Sequence, residues 1–137
     1  MDQKNKFLKV SKSENKVADL ISEMMNASVS FHKLHLKVSG LSSYASHKAL
    51  GKLYEEMKDF ADGLAEQYQG SSQKILQIPD LEFIKLNTVG EAIKYCFVLK
   101  EKITYLQNEI TESEIINFLD NIKSSLNIAS YKLTFLK

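Results

Sequence analysis

Residues 71–87, SSQKILQIPDLEFIKLN, decide the fold of this chain. The stretch carries Pro79, holds no sustained 3.6-residue apolar period and is too long for a turn, so it reads as a connection. One short helical turn is expected within it at 80–85. Upstream, Val17, Leu20, Ile21, Met24, Ser28, Phe31, His35 and Val38 trace one face of a first helix. Ser11 with Glu14 forms its expected capping box, and Gly40 its stop. Leu50, Leu53, Tyr54, Met57, Ala61, Leu64 and Tyr68 mark a second helix, opened near Ser43 and closed at Gly70. Downstream, Thr88 and Glu91 form another capping box, before a third stripe from Val89 to Ile110. Thr111 and Glu114 form the next, before Ile115, Leu119, Ile122, Leu126, Ala129 and Leu133 on a fourth helix.

Short turns make helix one antiparallel to two and three antiparallel to four, while the middle segment carries the chain from one end to the other. The expectation is an all-α, ferritin-like four-helix bundle with a long crossover between the second and third helices. The 137 residues make one domain, with 1–12 a flexible lysine-rich arm and 71–87 the crossover. One proline and five glycines leave few helix breakers, and 44% hydrophobic residues suit an ordinary globular core. A net charge of +1 gives no global pull toward nucleic acid or acidic substrates. The single cysteine, Cys96, excludes an internal disulfide and a cysteine-built zinc site; its place on the third stripe predicts a buried, inert thiol. Residues 1–16 lack the apolar core of a signal peptide, and no apolar run spans a membrane, so a soluble cytoplasmic chain with no membrane partner is expected.

Chemistry concentrates in the first half. His32, His35 and His47 are the only histidines, and Asp62 and Glu66 follow on the second helix. Two imidazoles and two carboxylates suit a borderline metal such as iron or zinc. Helical phase places His35 on its apolar stripe and His47 about 60–80° from that of helix two. Asp62 and Glu66 lie about 120–160° from the centre of theirs, with Glu55 and Asp59 nearby. These carboxylates face away from their own core, so a metal they share with a histidine must lie between subunits. The plain alternative is a core or interface histidine bonded to a carbonyl or hydroxyl, and a solvated acidic face with Lys58 an i+4 partner for Asp62.

The combination His35-Leu-Lys-Val-Ser-Gly40, His47, and Asp62-Gly-Leu-Ala-Glu66 resembles the Dps miniferritins over about residues 17–70. The resemblance implies a ferritin-like subunit assembling through twofold dimers into a dodecameric shell. It also implies an intersubunit ferroxidase site, with His35 and His47 from one copy and Asp62 and Glu66 from its neighbour. Ferrous iron would be bound there for oxidation by peroxide or oxygen, storing or detoxifying it. Two departures stand out: Gly51 occupies the place of an aspartate the family carries four residues after the second histidine, and Leu36 replaces a tryptophan. Glu55, one turn along, is the candidate substitute ligand. The phrases around His35, His47 and Gly70 also look like phage-encoded relatives of this fold. The competing expectation is therefore a non-enzymatic structural or interaction protein, a virion or accessory component with a degenerate metal site. Lys4, Lys6, Lys9 and Lys12 on the arm are candidates for holding DNA phosphates.

Overall fold

The structure, a computed structural model, describes residues 12–137. Four helices run through them, with no strand: α1 Lys12–Lys37, α2 Ser43–Ser72, α3 Val89–Gln107 and α4 Ser113–Phe135. Leucine, isoleucine and methionine at helical spacing fill one core, with Ile21, Met24, Phe31, Leu50, Met57, Leu99, Ile103 and Leu119 fully buried.

Side-chain contacts fix the helix directions. Lys16 pairs with Glu109, and Glu23 accepts hydrogen bonds from Lys102 at 2.8 Å and from the Tyr95 hydroxyl at 3.0 Å, so α1 and α3 run antiparallel. Burial and the Glu23 carboxylate together hold the Tyr95 phenol above its ordinary range. Ser125 on α4 donates to Glu56 on α2, and Phe118 packs edge-on against Phe60, which sets α2 and α4 antiparallel. Lys123 reaches Thr104, and Gln107 reaches Asp120, so α3 and α4 are antiparallel too. The first and last helices therefore point one way, and the middle pair the other.

The segment between α2 and α3 is not helical at 80–85, contrary to the sequence expectation. Its carbonyls are instead satisfied by a polar ridge of α1. Ser22 donates to the Pro79 carbonyl at 2.6 Å, Asn26 to Leu81 at 2.8 Å, and Ser30 to Ile84. An extended segment makes few hydrogen bonds with itself, and three side chains spaced four apart on one helix face replace them. Leu76 and Leu86 are buried near its ends and anchor it.

Other boundaries follow local chemistry. Thr88 and Glu91 form the expected capping box, with both reciprocal bonds in place. The box expected at Thr111 and Glu114 is absent: the Glu112 carbonyl accepts the first helical N–H groups, so Thr111 stands one residue too early to cap α4. Helix α1 ends at Lys37, before a turn in which Gly40 and Ser42 adopt positive φ (91° and 71°). Ser11, Lys4, Lys6 and Lys9 lie outside the described residues, so the first capping box and the arm's hold on DNA rest on sequence alone. Among the described residues, no helix is long and apolar enough to cross a membrane.

Candidate functional site

The hairpin of α1 and α2 brings His35 and His47 into contact. His35 lies in the last turn of α1, where backbone carbonyls have no helical partner. His47 Nδ1 donates to the His35 carbonyl at 2.9 Å, and so caps that end. In return, His35 Nδ1 donates to the His47 carbonyl at 2.6 Å. The rings stack with centroids 3.7 Å apart and planes 17° from parallel. Because a carbonyl only accepts, both Nδ1 atoms carry a proton, and the neutral form of each imidazole has its lone pair on Nε2. Among the described residues, no hydrogen bond engages either Nε2.

Gly51 explains why the His35 ring fits. A Cβ at that position would stand 3.0 Å from His35 Cε1 and 3.3 Å from Nδ1. The residue read as a missing acid is a steric allowance for the histidine. Tyr54 completes the cluster, stacking on His32 at 4.0 Å and meeting His35 edge-on at 5.4 Å. Sequence reading missed that role, although the antiparallel hairpin pairs residue 28 with 54 as it pairs 35 with 47: Ser28 Oγ donates to the Tyr54 carbonyl at 2.7 Å.

His35 is half-buried on its apolar stripe, and Leu34 is the fully buried residue of that turn. Both rings line an open depression of about 760 Å³, together with Tyr44, Tyr54, Glu55 and three lysines, Lys48, Lys52 and Lys132. Three cations against one carboxylate make its mouth electropositive.

Asp62 and Glu66 are exposed and lie apart from the histidines. Fifteen residues of helix separate His47 from Asp62, about 22 Å at 1.5 Å per residue. Lys58 makes no ion pair with Asp62. No group of three or more His, Cys, Asp or Glu side chains among the described residues is placed to hold a metal ion. The two imidazoles alone do not chelate one ion either. A metal lies in the ring plane about 2.0–2.1 Å from nitrogen, and two stacked rings with centroids 3.7 Å apart and planes 17° from parallel do not converge at that distance. The donor chemistry fits a metal at each Nε2 separately, with oxygen ligands brought from elsewhere.

Residues 35–133 match the model of a family of unknown function (DUF5856), and the chain belongs to that family. The match includes every candidate ligand and leaves out the arm and most of α1. Comparison with curated proteins finds no match.

Proposed function

We propose that this member of the family is a ferritin-like, Dps-type subunit that binds ferrous iron as substrate at sites completed between copies of itself. The observation that carries the reading is the histidine pair, whose Nδ1–H groups are both held by carbonyls and whose Nε2 lone pairs are both left to ligate. A backbone carbonyl fixing the far nitrogen is the usual support for a metal-binding imidazole. The helix directions, with a long connection laid along α1, support the ferritin-like order.

Because the ring planes do not converge, each imidazole would take its own ion. Glu55 is the one carboxylate of the same chain in the depression; the further carboxylates would come from outside the chain, and the exposed Asp62 and Glu66 of a neighbour are the matching donors. The electropositive mouth adds a second reason, since a ferrous ion beside Lys48, Lys52 and Lys132 needs anionic ligands to offset them. Two ferrous ions would each give one electron to hydrogen peroxide. The O–O bond breaks, and two protons from solvent complete two waters. A lone chain would hold iron poorly.

The second reading is a structural or interaction protein that keeps the fold, and the histidine clasp favours it. Mutual capping and stacking give both rings a role in joining α1 to α2 that needs no metal. Anaerobic ferrous titration, with particle mass measured in parallel, separates the two. Saturable iron uptake by an assembled particle, abolished by His47→Ala with Asp62→Ala, supports the iron reading. Uptake unchanged in that double variant refutes the ligand assignment, and an assembled particle that takes up no iron leaves the structural role.

A further inference from the structure

The depression beside the histidines carries more positive charge than its own residues answer. Lys48 and Lys52 line it from α2, one turn or about 5.4 Å apart along the helix. Contacts between α2 and α4 set the level of the third lysine. Glu56 meets Ser125 and Phe60 meets Phe118, and antiparallel helices keep the sum of facing positions nearly constant. Lys132 therefore falls at the level of residues 46–49, beside Lys48. All three ammonium groups sit on long flexible stems that can turn toward one point. Among the described residues, none of the three makes an ion pair. Glu55 is the one carboxylate in the lining, so two positive charges stand unanswered.

The start of α2 has the same sign. Tyr44 and Ala45 of its first turn line the depression, and that turn holds no acidic residue and no side-chain cap. Free N–H groups at a helix start favour an anion. The rim is apolar: the Tyr44 side chain is 73% exposed there and that of Leu136 42%. A volume of about 760 Å³ exceeds what a bare oxyanion fills and suits a small organic ligand.

We propose that the depression binds a small phosphate monoester, its dianion on Lys48, Lys52 and Lys132 and its organic body against Tyr44 and Leu136. Charge selects the class, because a monoester carries close to two negative charges above its second pKa of about 6 and a carboxylate carries one. The site goes beyond the iron reading and does not rest on it, since it uses ammonium groups rather than imidazole Nε2.

Calorimetric titration of the metal-stripped full chain at pH 8 tests it, with circular dichroism to follow folding. Phenyl phosphate is the probe; inorganic phosphate lacks the ring, and benzoate lacks the second charge. Wild type should bind phenyl phosphate saturably and about tenfold tighter than either. Lys132→Met and Lys52→Met should each weaken it about tenfold. Lys52 is exposed, so its variant reads binding without a packing effect. Lys94→Met, exposed on α3 outside the depression, removes the same charge and should change nothing. Tyr44→Ala should bring phenyl phosphate down to the affinity of inorganic phosphate. No saturable binding by wild type, benzoate or inorganic phosphate as tight as phenyl phosphate, or equal losses in Lys94→Met and Lys52→Met overturns the proposal. A chain that binds phenyl phosphate and takes up no iron leaves this site standing and removes the iron reading alone.

Discussion

Substituting Gly51 by alanine sets two opposing effects against each other, and their balance depends on the His35 ring. In a helix interior, Gly→Ala contributes about 1 kcal/mol of stability through backbone entropy. At this position the new methyl lies 3.0 Å from His35 Cε1, so the ring has to move. Movement is limited on the other side by His47, stacked at 3.7 Å, and by the 2.6 Å bond from His35 Nδ1 to the His47 carbonyl. Losing that bond costs about 1 kcal/mol, and loosening the stack about 0.5–1 kcal/mol more. Gly51→Ala in the wild type should therefore be neutral to destabilising, by up to about 1 kcal/mol. In a His35→Ala background nothing opposes the methyl, and the same substitution should stabilise by about 1 kcal/mol. The expected coupling is about 1.5 kcal/mol. Urea denaturation of the four proteins measures it, provided the slopes agree. If Gly51→Ala stabilises both backgrounds alike, the ring is not held against Gly51, and the clasp is wrong.

Removing the cap at Thr88→Ala should cost about 1 kcal/mol and fray the start of α3, seen as faster amide exchange there. Gly63→Ala brings a methyl to 2.6 Å from Phe118 Cζ; it should destabilise by about 1–3 kcal/mol, and Phe118→Leu should recover part of the loss on the same urea curve. Burial pushes the Cys96 thiol up from 9.0 to about 11, with the Ser130 hydrogen bond acting in the opposite sense. The unfolded chain then holds fewer thiol protons than the native one between those values, so stability contributed by Cys96 is full below about pH 9 and is lost as pH rises toward 11. The drop in stability from pH 8 to 11 should accordingly be shallower in Cys96→Ala than in wild type, and identical slopes would refute the assignment. His47→Asn keeps a donor at the Nδ1 position and should cost only the ring stack, about 0.5–1 kcal/mol on the urea curve, while losing iron; His47→Gln, which offers its donor further out, should lose the cap as well and cost about 1 kcal/mol more.

The helices were legible because amphipathic periodicity is a local property of sequence. The Thr88–Glu91 box was legible for the same reason, since its partners are three residues apart. Thr111–Glu114 has the same spacing and failed, because the turn after α3 sets the first helical carbonyl at Glu112 and a capping motif does not choose its own register. The path of residues 73–88 needed tertiary information. Its signal was present as Ser22, Asn26 and Ser30, three polar residues spaced by four on a helix whose solvent face is elsewhere. The outward phase of Asp62 and Glu66 was readable at 100° per residue. A carbonyl-bonded His35 was among the sequence expectations and is present, but its partner His47 was not read, because a hairpin pairs residues by the sum of their positions rather than by spacing along one helix. With the turn centred near Gly40, residues 35 and 47 fall opposite one another, as 28 and 54 do. Gly51 shows the limit most clearly: a family pattern presents it as a lost ligand, whereas the packing presents it as room for a histidine.

Clasp and ligand roles of the histidines do not compete for the same atoms. The α1–α2 contact uses Nδ1 of both rings, and a metal would use Nε2, so loading iron leaves the hairpin bonds intact. Charge provides the sharper constraint. Lys48, Lys52 and Lys132 raise the potential over the depression, which opposes a cation and attracts carboxylates. Glu55 is the one acid beside them; Asp62 and Glu66 lie about 15–27 Å further along the same helix, beyond reach of the lysines within one chain. On the iron reading, a neighbouring copy that set those acids against the lysines would create an environment a ferrous ion could enter. On the iron reading, association would precede metal binding, and conditions that screen the lysine–carboxylate pairs should remove iron affinity together with self-association.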